Sequence, residues 1–133
     1  MVTTRPDTLT RIGQIAINVH DVDRAVDFYR DVLELRFLFK AGEKMAFFDC
    51  GGVRLMLSLP ETPEYDHPGS ILYYQVADIT AAHRRLAGRG VRFEGEPHLI
   101  AKLPDHDLWM AFCRDSEGNT LALMSEVRQA AVV

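Results

Sequence analysis

From Ile12 to Val19 the chain sets Ile15, Ile17 and Val19 on one side of an alternation and Gln14, Ala16 and Asn18 on the other. A period of two predicts a strand with the isoleucines and Val19 on its core face. Asp21 can then cap a helix by accepting from the first free backbone N–H groups. Along that helix Val22, Val26, Tyr29 and Leu33 recur at helical spacing, and Ala25, Phe28 and Val32 widen the apolar stripe. Strands are expected at 35–40, 45–49 and 53–59, the last two joined by Gly51-Gly52, since glycine adopts positive φ without steric cost.

The pattern then repeats. After a stretch with Pro60, Pro63 and Pro68, a strand is expected at 71–76, followed by a helix capped by Asp78 and carrying Ile79, Ala82 and Leu86. Gly88 and Gly90 end that helix. Further strands are expected at 91–93, 98–103, 108–114 and 121–126, with 98–114 a hairpin around Pro104-Asp105-His106-Asp107 and 129–133 a frayed tail. Val19-His20-Asp21-Val22 is echoed by Val76-Ala77-Asp78-Ile79, and Gly52-Val53-Arg54-Leu55 by Gly118-Asn119-Thr120-Leu121. Repetition on this scale signals two similar supersecondary units. Residues 1–133 are expected to form a single domain, with module one at about 12–59, a linker at 60–69 and module two at about 70–126.

Composition narrows the function. With 47% hydrophobic and 26% charged residues the chain is globular in character. No apolar run is long enough to span a membrane, and the N-terminus lacks a signal-peptide core. Cys50 and Cys113 have neither zinc nor disulfide spacing, so two reduced thiols and a cytoplasmic location are expected. A net charge of −4 without a basic cluster argues against nucleic acid. The expected partners are a small molecule and a second copy of the chain. Phosphate loops, dinucleotide fingerprints, CxxC pairs and nucleophile elbows are missing from the sequence.

The segment Val19-His20-Asp21-Val22-Asp23-Arg24-Ala25-Val26-Asp27-Phe28-Tyr29-Arg30-Asp31-Val32-Leu33-Glu34-Leu35 resembles a signature of the vicinal oxygen chelate superfamily, also called the glyoxalase/bleomycin-resistance/dioxygenase family. Phe112-Cys113-Arg114-Asp115-Ser116-Glu117-Gly118-Asn119-Thr120-Leu121-Ala122-Leu123 resembles its second. The resemblance implies an α+β fold of two βαβββ modules pairing around a central cleft, and a homodimer. It also implies, in metal-dependent members, four His, Gln or Glu ligands on the first and last strands of each module. Those positions fall here on Gln14, Met56, Ile71 and Ala122. One amide, one thioether and two aliphatic groups are not a divalent-metal set, so no metal and no other cofactor is expected unless a non-standard site exists.

Strand parity gives the cleft an expected lining of Gln14, Met56, Ile71, Tyr73, Gln75, Met110, Phe112, Ala122 and Met124. Ala46 and Phe48 are placed on the other side, with Phe47 in place of Phe48 if the turn shifts by one residue. Such a surface suits an apolar or aromatic ligand, although the same residues can simply fill the space between modules. His98 and His106 bracket the second hairpin, with Trp109 beyond, and form either a ligand-contacting lid with an acid/base histidine or a polar exposed turn. Three functions are weighed: a metal-independent small-molecule binder akin to the bleomycin-resistance branch, an isomerase, lyase or dioxygenase-like enzyme using a non-standard metal site or a histidine acid/base from the His98–His106 hairpin, and a structural dimerisation module. Glyoxalase I activity is expected to be absent.

Overall fold

A computed structural model describes residues 5–128 and shows two four-stranded sheets, each with a helix on one face. The expected tail and the first residues lie outside the described range. The first sheet contains β1 (Gln14–Asn18), β2 (Arg36–Ala41), β3 (Met45–Cys50) and β4 (Val53–Ser58), in the order β1-β4-β3-β2. The second contains β5 (Leu72–Gln75), β6 (His98–Lys102), β7 (His106–Arg114) and β8 (Thr120–Arg128), in the order β5-β8-β7-β6. In each sheet the first strand runs parallel to the last and the other pairs are antiparallel.

The helices start where the sequence places caps. Asp21 accepts from the Arg24 amide at 3.0 Å to open α1 (Val22–Asp27), and Asp78 accepts from the Ala81 amide at 3.0 Å to open α2 (Ile79–Gly88). Beyond Asp27 the chain widens into a π-helical turn over Phe28–Val32, closed by the Leu33 amide donating to the Phe28 carbonyl at 3.0 Å. Glu34 ends the turn in the left-handed region at φ 61°, where a side chain is disfavoured. Its carboxylate meets Arg85 of α2 and Arg89 just past its end, tying the strained residue to the other module.

Turn geometry decides which side of each strand faces its helix. Gly51 and Gly52 both have positive φ, 60° and 91°, and their two-residue turn pairs Cys50 with Val53. Counting back, Phe48 opposes Leu55 and Phe47 opposes Met56. Both sheets also carry a bulge on the outer strand, at Leu38 and at Ile100, which reverses the alternation midway. The repeat thus extends to an irregularity. Residues 91–93 are not a strand but a single bridge from Phe93 to Cys113. The segment lies between Gly90 and Gly95, both at positive φ, and is too short to build a ladder.

Each module has its own core on the helix side. Val19, Val22, Ala25, Tyr29, Phe48 and Leu57 are central to the first, and Ile79, Leu86, Ala111, Cys113, Leu121 and Leu123 to the second. Phe28 and Leu33 pack against both cores, so the helix sides of the modules meet. Polar bonds reinforce the join. Asn119 donates its side-chain amide to the Asn18 carbonyl at 3.0 Å, and the buried Glu117 carboxylate accepts from the His20 and Asp21 amides at 2.6 and 2.9 Å. The Pro-rich linker makes one short 3-10 turn, Pro63–Tyr65, and is held to β1 by Asn18 donating to the Tyr65 and His67 carbonyls. Among the described residues no helix is long and apolar enough to cross a membrane.

Candidate functional site

Helices cover one face of each sheet and leave the other open. On the first sheet the open face carries Gln14 and Ala16 from β1, Arg54 and Met56 from β4, Met45 and Phe47 from β3, and Phe39 from β2. On the second it carries Tyr73 and Gln75 from β5, Ala122 and Met124 from β8, Met110 and Phe112 from β7, and His98 from β6. Every methionine among the described residues lies on one of these faces. Thioethers and aromatic rings make adaptable, polarisable contact surfaces.

Three expected lining residues belong elsewhere. Phe48 is 0% exposed and packs under α1 against Tyr29, with ring centroids 6.0 Å apart. Ala46, opposite Leu57, is buried in the same core. Phe47 is the ring that turns to the open face, as the two-residue turn requires. Trp109 neighbours Met110 on β7 and so points the opposite way, against the second core. Gln14, Met56, Tyr73, Gln75, Met110, Phe112, Ala122 and Met124 are on the open faces, and Ile71 sits just before β5, 41% exposed.

The four positions where the family resemblance would place metal ligands are split between the modules, Gln14 and Met56 on the first sheet, Ala122 on the second and Ile71 just before β5. Gln14 and Met56 touch on the first sheet, the amide nitrogen 3.8 Å from the sulfur. Ala122 lies between Tyr73 and Phe112 in register and is fully buried. The two rings meet edge to face at 5.9 Å, a contact that the small Ala122 side chain permits from two strands away. Among the described residues no three His, Cys, Asp or Glu side chains form a metal-binding group.

The two candidate histidines are not brought together. His98 stacks on Phe112 at 6.5 Å, and its Nδ1 donates to the Glu96 carbonyl at 3.4 Å, which leaves Nε2 without a hydrogen bond among the described residues. His106 lies four positions from Met110, the partner of His98, or roughly 13 Å along the strand. It pairs with Asp105 at 2.8 Å, and this hydrogen bond holds the Asp105 carboxyl below the ordinary range.

Two cavities lie between the modules on the helix side, of about 430 and 650 Å³. Apolar residues such as Ile15, Leu55, Leu72 and Leu121 line the smaller, and Asn18, His20, Asp66 and Asn119 the larger. Tyr73 and Gln75 border the first and Ile71 the second, but Gln14, Met56, Met110, Phe112, Ala122 and Met124 border neither. Most of the open-face residues are therefore outside both cavities. Burial pushes the Cys50 thiol up and the Cys113 thiol up to about 12, so neither is an activated nucleophile.

Sequence reasoning missed Phe39 and Arg54. Phe39 is 48% exposed and lies 4.8 Å from the Phe47 ring; the bulge at Leu38 turns it outward, and no composition signal marks that bulge. Arg54 places its guanidinium 5.8 Å from the centre of Phe47. Its parity with Met56, two residues on along β4, is the signal that could have found it.

Paired modules with matching open faces define a duplicated βαβββ scaffold. The chain belongs to the Glyoxalase/Bleomycin resistance protein/Dioxygenase superfamily, whose family model matches residues 11–123. Its fold is similar to that of a lactoylglutathione lyase from Agrobacterium tumefaciens, with a TM-score of 0.70, 23% identity and coverage of 91% of this chain and 96% of that one. A superfamily member from Sphaerobacter thermophilus gives a TM-score of 0.75 at 23% identity, covering 89% and 98%. TnmS3, an antibiotic binding protein from a Streptomyces species, gives 0.68 at 23% identity, covering 89% and 97%.

Proposed function

We propose that this protein binds a small apolar or aromatic molecule on its open sheet faces, without a divalent metal at the family's usual positions. The observation that carries this reading is the surface itself. Phe39, Phe47 and Met56 on one sheet, and Tyr73, Phe112, Met110 and Met124 on the other, occupy the strand faces from which metal-dependent relatives would project ligands. Gln14 and Gln75 are the neutral hydrogen-bonding groups beside them, enough to orient a ligand held mainly by packing.

Residues 1–133 act as one domain in this reading, with modules at about 12–59 and 70–126, and the binding unit is a homodimer. Phe39 and Tyr73 are 48% and 45% exposed in a single chain, and apolar faces of this kind mark interaction surfaces. A second copy covering them would turn two open faces into a closed cleft.

The test is a thermal-shift screen of chelator-treated protein against aromatic and aliphatic compounds, since a ligand held by the native state raises its melting temperature. Stabilisation by aromatic compounds, lost in Tyr73→Ser, supports the reading. Stabilisation by none contradicts it. An enzymatic reading rests on one observation, the free Nε2 of His98 beside Phe112. A turnover found with any substrate and abolished in His98→Gln would favour it.

A further inference from the structure

The open face of module one is not only apolar. One row across it reads Arg36, Asp49, Arg54 and Gln14: Arg36 opposes Asp49, Asp49 opposes Arg54, and Arg54 pairs in parallel register with Gln14. Two guanidiniums flank one carboxylate, which leaves the row with one positive charge in excess. Among the described residues neither Arg36 nor Arg54 makes an ion pair, although most other arginines of the chain do. Arg54 leans over the Phe47 ring at 5.8 Å, and Phe47 in turn meets the exposed Phe39 at 4.8 Å. Beside them the Gln14 amide points its N–H at the Met56 sulfur 3.8 Å away, a weak acceptor that a better one would displace.

We infer that this face takes an aromatic anion: a planar ring carrying a carboxylate or a comparable acidic group. The ring lies on Phe39, which is 48% exposed and is backed by the buried Phe47 ring at 4.8 Å. The acidic group meets Arg54, whose planar fork matches a carboxylate with two parallel hydrogen bonds, and accepts from the Gln14 amide. The contact of Arg54 with Phe47 pre-positions the guanidinium at the edge of the aromatic platform. This inference rests on the proposed binding function and specifies its ligand class.

The experiment is a calorimetric titration of the whole chain with three probes of one shape: 2-naphthoate, 2-naphthamide and 2-naphthylmethylammonium. The wild type is expected to bind naphthoate about tenfold more tightly than naphthamide, as one charge-assisted pair implies. Raised salt should narrow that gap. In Arg54→Gln the two affinities should converge within about twofold while naphthamide binding is kept, and Arg54→Lys should retain part of the preference. Arg54 is exposed, and an unchanged melting temperature in both variants would show that the fold is intact. Equal affinity for naphthoate and naphthamide in the wild type, a preference for the ammonium probe, or a preference unaltered in Arg54→Gln overturns the inference and leaves aromatic binding standing. Failure of all three probes to bind overturns the proposed function together with it.

Discussion

Tyr29, on the π-helical turn of module one, donates its hydroxyl hydrogen to Asp115, in the β7–β8 turn of module two, at 2.7 Å and out of reach of solvent. Asp115 also accepts from the Glu117 and Asn119 amides, each at 2.8 Å, and so organises its own turn while receiving the other module. Removing the tyrosine hydroxyl leaves the carboxylate with its other donors. Tyr29→Phe is therefore expected to cost about 1–2 kcal/mol. Asp115→Ala strands a buried hydroxyl and unties the turn, and is expected to cost more, about 3 kcal/mol. Urea unfolding of both variants checks the order, and Tyr29→Phe proving the worse would contradict this role for the bond.

Glu117 is the second tie. Burial pushes its carboxyl up, but the His20 amide, the Arg24 guanidinium and the Asp21 amide together hold it below its ordinary value of 4.5. A carboxyl held low in the folded state stabilises above its unfolded pKa and loses that contribution as pH falls through the folded value. The wild type is thus expected to exceed Glu117→Gln in stability at pH 7, with the gap closing below about pH 4.5. A gap that stayed constant from pH 7 to pH 3 would show that the charge is not what matters.

At alkaline pH the sign reverses. Burial, with the nearby Asp115 and Glu94 charges, raises the Cys113 thiol from 9.0 to about 12. Stability is then fully present below about pH 9 and declines as pH rises toward about 12, because only the unfolded chain ionises freely in that window. The expected slope is about 1.4 kcal/mol per pH unit. Cys113→Ala removes this component, so the variant should lose less stability than the wild type between those limits; parallel losses would contradict the assignment.

Oligomeric state follows from the exposed faces. Light scattering is expected to give twice the 15.0 kDa chain mass for the wild type. Replacing Phe39 and Tyr73 together by serine should shift the protein toward monomer and remove ligand stabilisation, while the helix-side cores, which contain neither residue, stay folded. A wild type monomeric at all concentrations would leave the faces without the proposed second copy.

The sequence carried the architecture where a feature is strictly local. Asp21 and Asp78 cap the helices they precede, and Gly51-Gly52 turns where two positive φ values are needed. It carried less where one residue of register matters. Phe47 and Phe48 have the same side chain, and only the two-residue closure between Cys50 and Val53 tells which faces the helix. Trp109 was grouped with the lid because it follows the hairpin tip, although within the expected strand 108–114 it has the opposite parity to Met110, and it packs half-buried against the second core. Phe39 was invisible behind a bulge.

The claim that aromatic surface has replaced the usual metal chemistry is met most directly by titrating chelator-treated protein with 2-naphthoate, before and after adding nickel or zinc. Binding is expected in the metal-free protein and should be unchanged when metal is restored. Binding that appears only after a divalent metal is added, at one ion per chain, would contradict the claim.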